Sequence, residues 1–173
     1  MSTINSNVLK TTQIQHTGGS IGINVDSAGR IFYPNRPHFW VYSNASSSGS
    51  AVGAFTTQFN TTVVNVGGHY NTSTGRFTAP VAGTYWFGGK ILQRGVGVAE
   101  ITLYKNGVNV IGRSLAYTNG GGTGGHHGDM NLSYYLSMAA NDYCQFGVST
   151  VAGAGSDYYY GEGLAHFMGH LFA

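Results

Sequence analysis

The chain has 173 residues and a formal charge of +2, and only 8% of its residues are charged, against about 25% in an ordinary soluble domain. Aromatics at 13% and 28 glycines exclude the charged, aromatic-poor composition of a disordered chain, and the scattered basic residues form no stripe for nucleic acid. A surface with so few charges favours association, which predicts a chain that hides much of itself against its own copies or within a larger assembly.

The start, Met1 to Asn7, lacks the basic and apolar regions of a signal peptide. No apolar run approaches the roughly 18 residues of a membrane span. The expectation is therefore a protein made in a cytoplasm, without membrane insertion. Ile21, Ile23 and Val25 alternate, Asp26-Ser27-Ala28-Gly29 reads as a turn, and Ile31-Phe32 follows. Pro34 and Pro37 bracket a junction, so residues 1–36 are predicted as a separate extended segment and 37–173 as the main domain. The first segment is too short and polar to fold alone. It is expected to pair with copies of itself or with a docking partner, through Ile14, Ile21, Ile23 and Val25. Gly18-Gly19-Ser20-Ile21-Gly22 has the spacing of a nucleophile elbow, but that elbow needs a strand before the serine and a helix after it. No helical pattern follows.

From residue 37 onward strand-like runs recur between Gly, Asn and Ser turns, and helical periodicity is absent. Asn106-Gly107 separates Ile101-Thr102-Leu103-Tyr104 from Val108-Asn109-Val110-Ile111; this pair of residues accepts the positive φ of a type I′ hairpin. Asn71 to Gly75 and Ala139-Ala140-Asn141-Asp142 are further turns. Many short strands with regular turns predict an all-β sandwich, barrel or jelly roll. Phe39-Trp40-Val41-Tyr42, Tyr85-Trp86-Phe87, Tyr134-Tyr135-Leu136 and the run from Phe167 to Phe172 are apolar in both phases. A strand with one wet face should alternate. One face of these strands can meet a core; the other needs a cover, most simply a neighbouring subunit.

Catalytic chemistry is not encoded in any recognisable form. The acidic residues Asp26, Glu100, Asp129, Asp142, Asp157 and Glu162 are spread along the chain, with no close carboxylate pair of the glycosidase kind. Neither a phosphate-binding glycine loop nor a paired zinc motif is present, and the lone Cys144 allows no internal disulfide. The expectation is a non-enzyme without a cofactor. His126-His127 with Asp129 has the ligand types of a transition-metal site. Two adjacent histidines reach one ion only from a loop, and the segment reads more simply as a solvated or interfacial loop after the glycine run 120–125, so no metal is predicted. Copying by a threefold would turn one of His126, His166 or His170 into a ring of three imidazoles. Tyr158-Tyr159-Tyr160 follows a small, flexible stretch, and tyrosines give large contact area at low entropic cost. Contact loops are therefore expected at 43–50, 120–129 and 153–160, with His126, His127, Asp129, Tyr158, Tyr159 and Tyr160 as ligand-contact residues.

The spacing of Phe59, Asn65, Tyr70, Phe77, Gly83, Tyr85 and Phe87 resembles the signature of the C1q domain family. It departs at Gly89, where the family has an aromatic. Leu103 to Gly107, Asn141-Asp142, the opening Arg36-Pro37-His38-Phe39 and the ending Phe167 to Leu171 agree with the same family. The resemblance covers about residues 36–173. It implies a ten-stranded jelly roll of the tumour-necrosis-factor type, assembled as a homotrimer with one sheet facing the threefold axis. If Phe167 and Leu171 point to the core, the period of two places His166, Met168 and His170 on the opposite face. Trp86 joins them by alternation against Tyr85 and Phe87. These four are the expected trimer-interface residues.

Val8-Leu9-Lys10, Ile14 to Gly19 and Val25 to Ile31 resemble leader segments of phage tail-fibre and other virion structural proteins, notably of marine cyanophages. The two resemblances together imply a trimeric virion protein (tail fibre, spike or capsid decoration). Residues 1–36 would hold other virion proteins, and the C1q-like head would contact a host-surface glycan or protein. A purely architectural capsid or neck protein, and a soluble C1q-like lectin or ligand, are the alternatives.

Overall fold

The computed structural model describes residues 11–44, 47–49, 51–56, 58–94, 97–118, 127–152, 157–160 and 164–173. The glycine run 120–125 and His126 lie outside the described residues. The chain forms two compact units, Met1–Arg36 and Pro37–Ala173.

The first unit is a small antiparallel meander of β1 (Gln13–Gln15), β2 (Ile21–Val25) and β3 (Ile31–Phe32), in that spatial order. Asp26 closes the β2–β3 turn: its carboxylate accepts hydrogen bonds from the backbone N–H groups of Ala28 and Arg30, and it pairs with the Arg30 guanidinium at 2.7 Å. The Arg30 N–H, then its guanidinium, hold that carboxyl below its ordinary range. Ile14 is exposed, while Ile21, Ile23 and Val25 are half-buried.

The second unit is all-β, with no helix among its described residues. Its strands are β4 (His38–Tyr42), β5 (Ser47–Gly49), β6 (Gly53–Ala54), β7 (Thr61–Val66), β8 (Tyr70–Asn71) and β9 (Arg76–Thr78). There follow β10 (Gly83–Arg94), β11 (Gly97–Lys105), β12 (Val108–Thr118), β13 (His127–Met138), β14 (Tyr143–Ala152), β15 (Asp157–Tyr160) and β16 (His166–Leu171). One antiparallel sheet runs β7-β4-β16-β10, with β13 on the far edge of β10 and β15-β5 continuing beside its C-terminal end. The other runs β12-β11-β14-β9-β8, with β6 against β14. The short strands β5, β6, β8, β9 and β15 fringe the long ones, which keeps exposed edges short.

Between the sheets lies a core dominated by rings. Phe39, Phe59, Phe77, Tyr85, Phe87, Phe146 and Phe167 are all buried. Phe167 sits among Phe39, Phe59, Tyr70, Phe87 and Phe146, at centroid separations of 4.9, 6.1, 6.2, 5.9 and 5.7 Å. Each such ring contributes about 1.5–3 kcal/mol by burial, alongside buried aliphatics such as Val41, Ile91, Ile101, Leu103 and Met130. Cys144 is buried among them, and burial pushes its thiol well above the ordinary range. It therefore behaves as a small apolar residue, not a nucleophile.

The hairpin between β11 and β12 turns on Asn106 and Gly107, with φ of 50° and 80°, as the Asn-Gly pair predicts. Its tip is tied to the β13–β14 turn. The Asn106 amide donates to Asp142 at 2.7 Å, Lys105 pairs with Asp142 at 2.9 Å, and the Ala139 N–H donates to Asp142 at 2.8 Å. These donors, Asn106 first, hold the Asp142 carboxyl down to about 2.

Candidate functional site

Strand register makes the second face of the β7-β4-β16-β10-β13 sheet readable rung by rung. Phe39, Val41, Tyr85, Phe87, Ile91, Met130, Leu132 and Phe167 point into the core. Their neighbours in sequence point away from it, because side chains alternate along a strand. One rung joins Tyr135, Trp86, His170, His38 and Val66. The next joins Ser133, Gly88, Met168, Trp40 and Val64. A third joins Asn131, Lys90, His166, Tyr42 and Thr61.

The centre of this face is apolar although it does not face the core. Trp40 is 44% exposed and Tyr135 55%. A groove of about 330 Å³ runs over the sheet and is lined by His38, Trp40, Val64, Trp86, Met168 and His170. The Trp86 indole lies along the sheet over Gly88, where a β-carbon would come within 2.5 Å of the ring. Its N–H donates to the Ser133 hydroxyl at 2.9 Å, and the ring meets His170 at a centroid distance of 5.3 Å. Lys90 pairs with Asp129 at 3.0 Å at the margin of the face. His166, opposite Lys90, is held below the ordinary imidazole range by burial first and by the Lys90 charge second.

The structure thus brings Trp86, His166, Met168 and His170 onto one face. It adds His38, Val64, and, from runs read as apolar in both phases, Trp40 and Tyr135. The signal for Trp40 was its place between Phe39 and Val41. Which side each phase would take depended on pairing with β16 and β7.

The ligand-contact residues that are described, His127, Asp129 and Tyr158 to Tyr160, lie in strands. Asp129 lies within β13, opposite Leu92, and His127 opens that strand opposite Arg94. Tyr158, Tyr159 and Tyr160 lie in β15, where Tyr158 and Tyr159 pair with Gln93 and Leu92, and all three pair with β5. Their loop placement is corrected for a physical reason: β10 is 12 residues long and offers backbone donors and acceptors on both edges beyond the point where β16 ends. Pairing absorbs segments that their glycine neighbours make look flexible. The segment 43–50 is likewise partly strand, as β5, and Ser43 at its start is buried. Among the described residues no group of three or more His, Cys, Asp or Glu is placed to hold a metal ion. Also among them, no helix is long and apolar enough to cross a membrane.

The spaced motif now has a structural account. Phe59, Tyr70, Phe77, Tyr85 and Phe87 are core rings. Asn65 donates to the Tyr70 carbonyl at 2.8 Å and accepts from the Tyr70 N–H at 3.0 Å, so its amide replaces a strand partner at the β7–β8 corner. A β-carbon on Gly83 would lie 2.6 Å from the Ala173 carbonyl oxygen. At Gly89 the space is filled from the other sheet by Phe146, 2.4 Å from where a β-carbon would stand. The family model described as C1q domain matches residues 39–142.

The chain belongs to the C1q domain family. Solved structures share the fold of its C1q domain. The globular domain of zebrafish complement 1qA protein has 19% identity and a TM-score of 0.60, over 80% of this chain and 98% of that one. Eiger TNF from S. frugiperda has 10% identity and a TM-score of 0.63, over 80% and 94%. Murine APRIL has 8% identity and a TM-score of 0.59, over 79% and 99%. The second unit is therefore a jelly roll of the C1q and tumour-necrosis-factor type. No curated protein matches the sequence.

Proposed function

We propose that the C1q domain assembles as a homotrimer through the apolar second face of its β7-β4-β16-β10-β13 sheet, and that the trimer is a non-enzymatic display module of a phage virion. The observation that carries the assembly is Trp40, 44% exposed on a rung with Met168 and Val64. Contiguous apolar surface of this kind marks an interface, and 8% charge over the whole chain agrees with it. C1q and tumour-necrosis-factor domains are homotrimeric binding and structural folds, which supports the same reading. Threefold copying raises avidity for a repeated ligand such as a surface glycan without new contacts.

The virion role rests on the first unit. Ile14, Ile31 and Phe32 are exposed on a three-stranded meander, as suits a segment that docks onto another protein. Its sequence resembles phage fibre leaders. A soluble C1q-like ligand is the second reading, favoured by the family match over residues 39–142.

Sedimentation of the full chain at micromolar concentration tests the assembly, with a trimer expected. Trp40→Glu places a carboxylate where water is excluded, and is expected to raise the dissociation constant about 100-fold or more while leaving the fold's circular dichroism intact. A wild-type monomer would overturn the proposal. Imaging of particles that carry labelled protein tests the virion role, with the first unit expected at the attachment point.

A further inference from the structure

We infer that Asn106 is a latent site of spontaneous deamidation, held shut in the folded chain by the Asp142 carboxylate and the Tyr143 backbone. The site lies at the tip of the β11–β12 hairpin, in the sheet opposite the proposed assembly face.

Lys105 and Val108 are register partners, so Asn106 and Gly107 form a two-residue loop, and both are exposed to water. An asparagine followed by glycine is chemically labile, because a glycine has no side chain to shield its nitrogen. The Gly107 nitrogen attacks the Asn106 side-chain carbonyl carbon. A new carbon–nitrogen bond closes a five-membered imide, the bond to the side-chain nitrogen breaks, and ammonia leaves with the proton that Gly107 gave up. Water then opens the imide at either carbonyl, giving aspartate or isoaspartate. No oxidant or cofactor is needed.

The fold opposes the first step. For attack the Asn106 side chain must turn onto its own neighbour, and both of its polar atoms are tied to the β13–β14 hairpin instead. Its oxygen accepts from the Tyr143 N–H at 2.9 Å, its nitrogen donates to Asp142 at 2.7 Å, and its backbone N–H donates to the Tyr143 carbonyl at 3.0 Å. The Tyr143 N–H polarises the carbonyl, which taken alone would favour attack. The departing nitrogen, however, faces a carboxylate that accepts and has no proton to give it, since Asn106, Lys105 and the Ala139 N–H hold Asp142 down to about 2. Conversion would be self-reinforcing. A carboxylate at position 106 would stand where the amide had donated, against Asp142, and like charges at that distance repel.

The test incubates the full chain, folded and in urea, at mildly alkaline pH, and follows the peptide that carries Asn106 by mass spectrometry and isoaspartate-specific methylation. The folded chain is expected to convert at least about tenfold more slowly than the unfolded one, since two side-chain hydrogen bonds must break first. Asp142→Ala is expected to bring the folded rate toward the unfolded one, with near-ultraviolet circular dichroism confirming the fold. Lys105→Ala loosens the same turn but leaves the Asn106 bonds in place, and is expected to stay near wild type. Should the alanine variant at 142 not fold, Asp142→Asn, which loses the charge, is expected to speed conversion to a smaller extent. A folded wild type that converts at the unfolded rate overturns the inference. So does a folded variant at 142 that converts no faster than wild type, or a Lys105→Ala chain that speeds as much as the variant at 142, which would show general loosening of the turn.

Discussion

Gly89 shows how one residue and its partner across the core share a fixed volume. The C1q pattern expects a ring at this point of β10, and here the ring comes from Phe146 on the opposite sheet. It ends 2.4 Å from where a Gly89 β-carbon would be. Gly89→Ala is expected to destabilise the domain by about 1–3 kcal/mol through overpacking, read as a lower midpoint in thermal or chemical denaturation. The pairing could not be read from the sequence. Gly89 and Phe146 are far apart along the chain, and neither spacing nor composition says which of two aromatic positions fills a given gap. Asn65 was legible only as a spaced anchor of the C1q pattern; its hydrogen bonds to Tyr70, five residues away, are seen in the structure.

Among the elements, the end of the sandwich around Asp142 couples two hairpins. Asn106, Lys105 and the Ala139 N–H converge on its carboxylate and lower it from an ordinary 3.8 to about 2. A carboxyl depressed by folding stabilises the native state above its unfolded pKa, and that contribution is lost as pH falls through the folded value. Asp142→Asn is therefore expected to be less stable than wild type near neutral pH. The difference should shrink as pH falls from about 4 to about 2, when followed by denaturant midpoints across that range. Both turns at this end were legible because Asn-Gly and Asn-Asp carry their own backbone preferences. The strand state of Asp129 and of Tyr158 to Tyr160 was not, because it comes from hydrogen bonds to the long strand β10 and not from their glycine-rich neighbours.

At the scale of the whole molecule the two faces of one sheet do different things. The inner face packs Phe39, Phe87 and Phe167 into a core. The outer face carries Trp40, Trp86, Met168 and three histidines, and the assembly proposed for it makes stability a function of concentration. The midpoint of thermal unfolding is expected to rise with protein concentration in wild type, by mass action. It should be flat for Trp40→Glu; differential scanning fluorimetry over a hundredfold range would measure both.

The amino-acid sequence by itself determined the strand-rich class, the hairpin turns and the C1q motif. Those depend on residues within a few positions of one another, whose backbone preferences act before any tertiary contact forms. It also made plain that several strands are apolar on both sides. Only the tertiary structure decided which phase of each strand faces outward, that His38 stands opposite His170 and Trp40 opposite Met168, and that Phe146 fills the space at Gly89. Those outcomes depend on contacts between strands well separated along the chain, and a shift of one residue in the β4–β16 register would have exchanged the two faces.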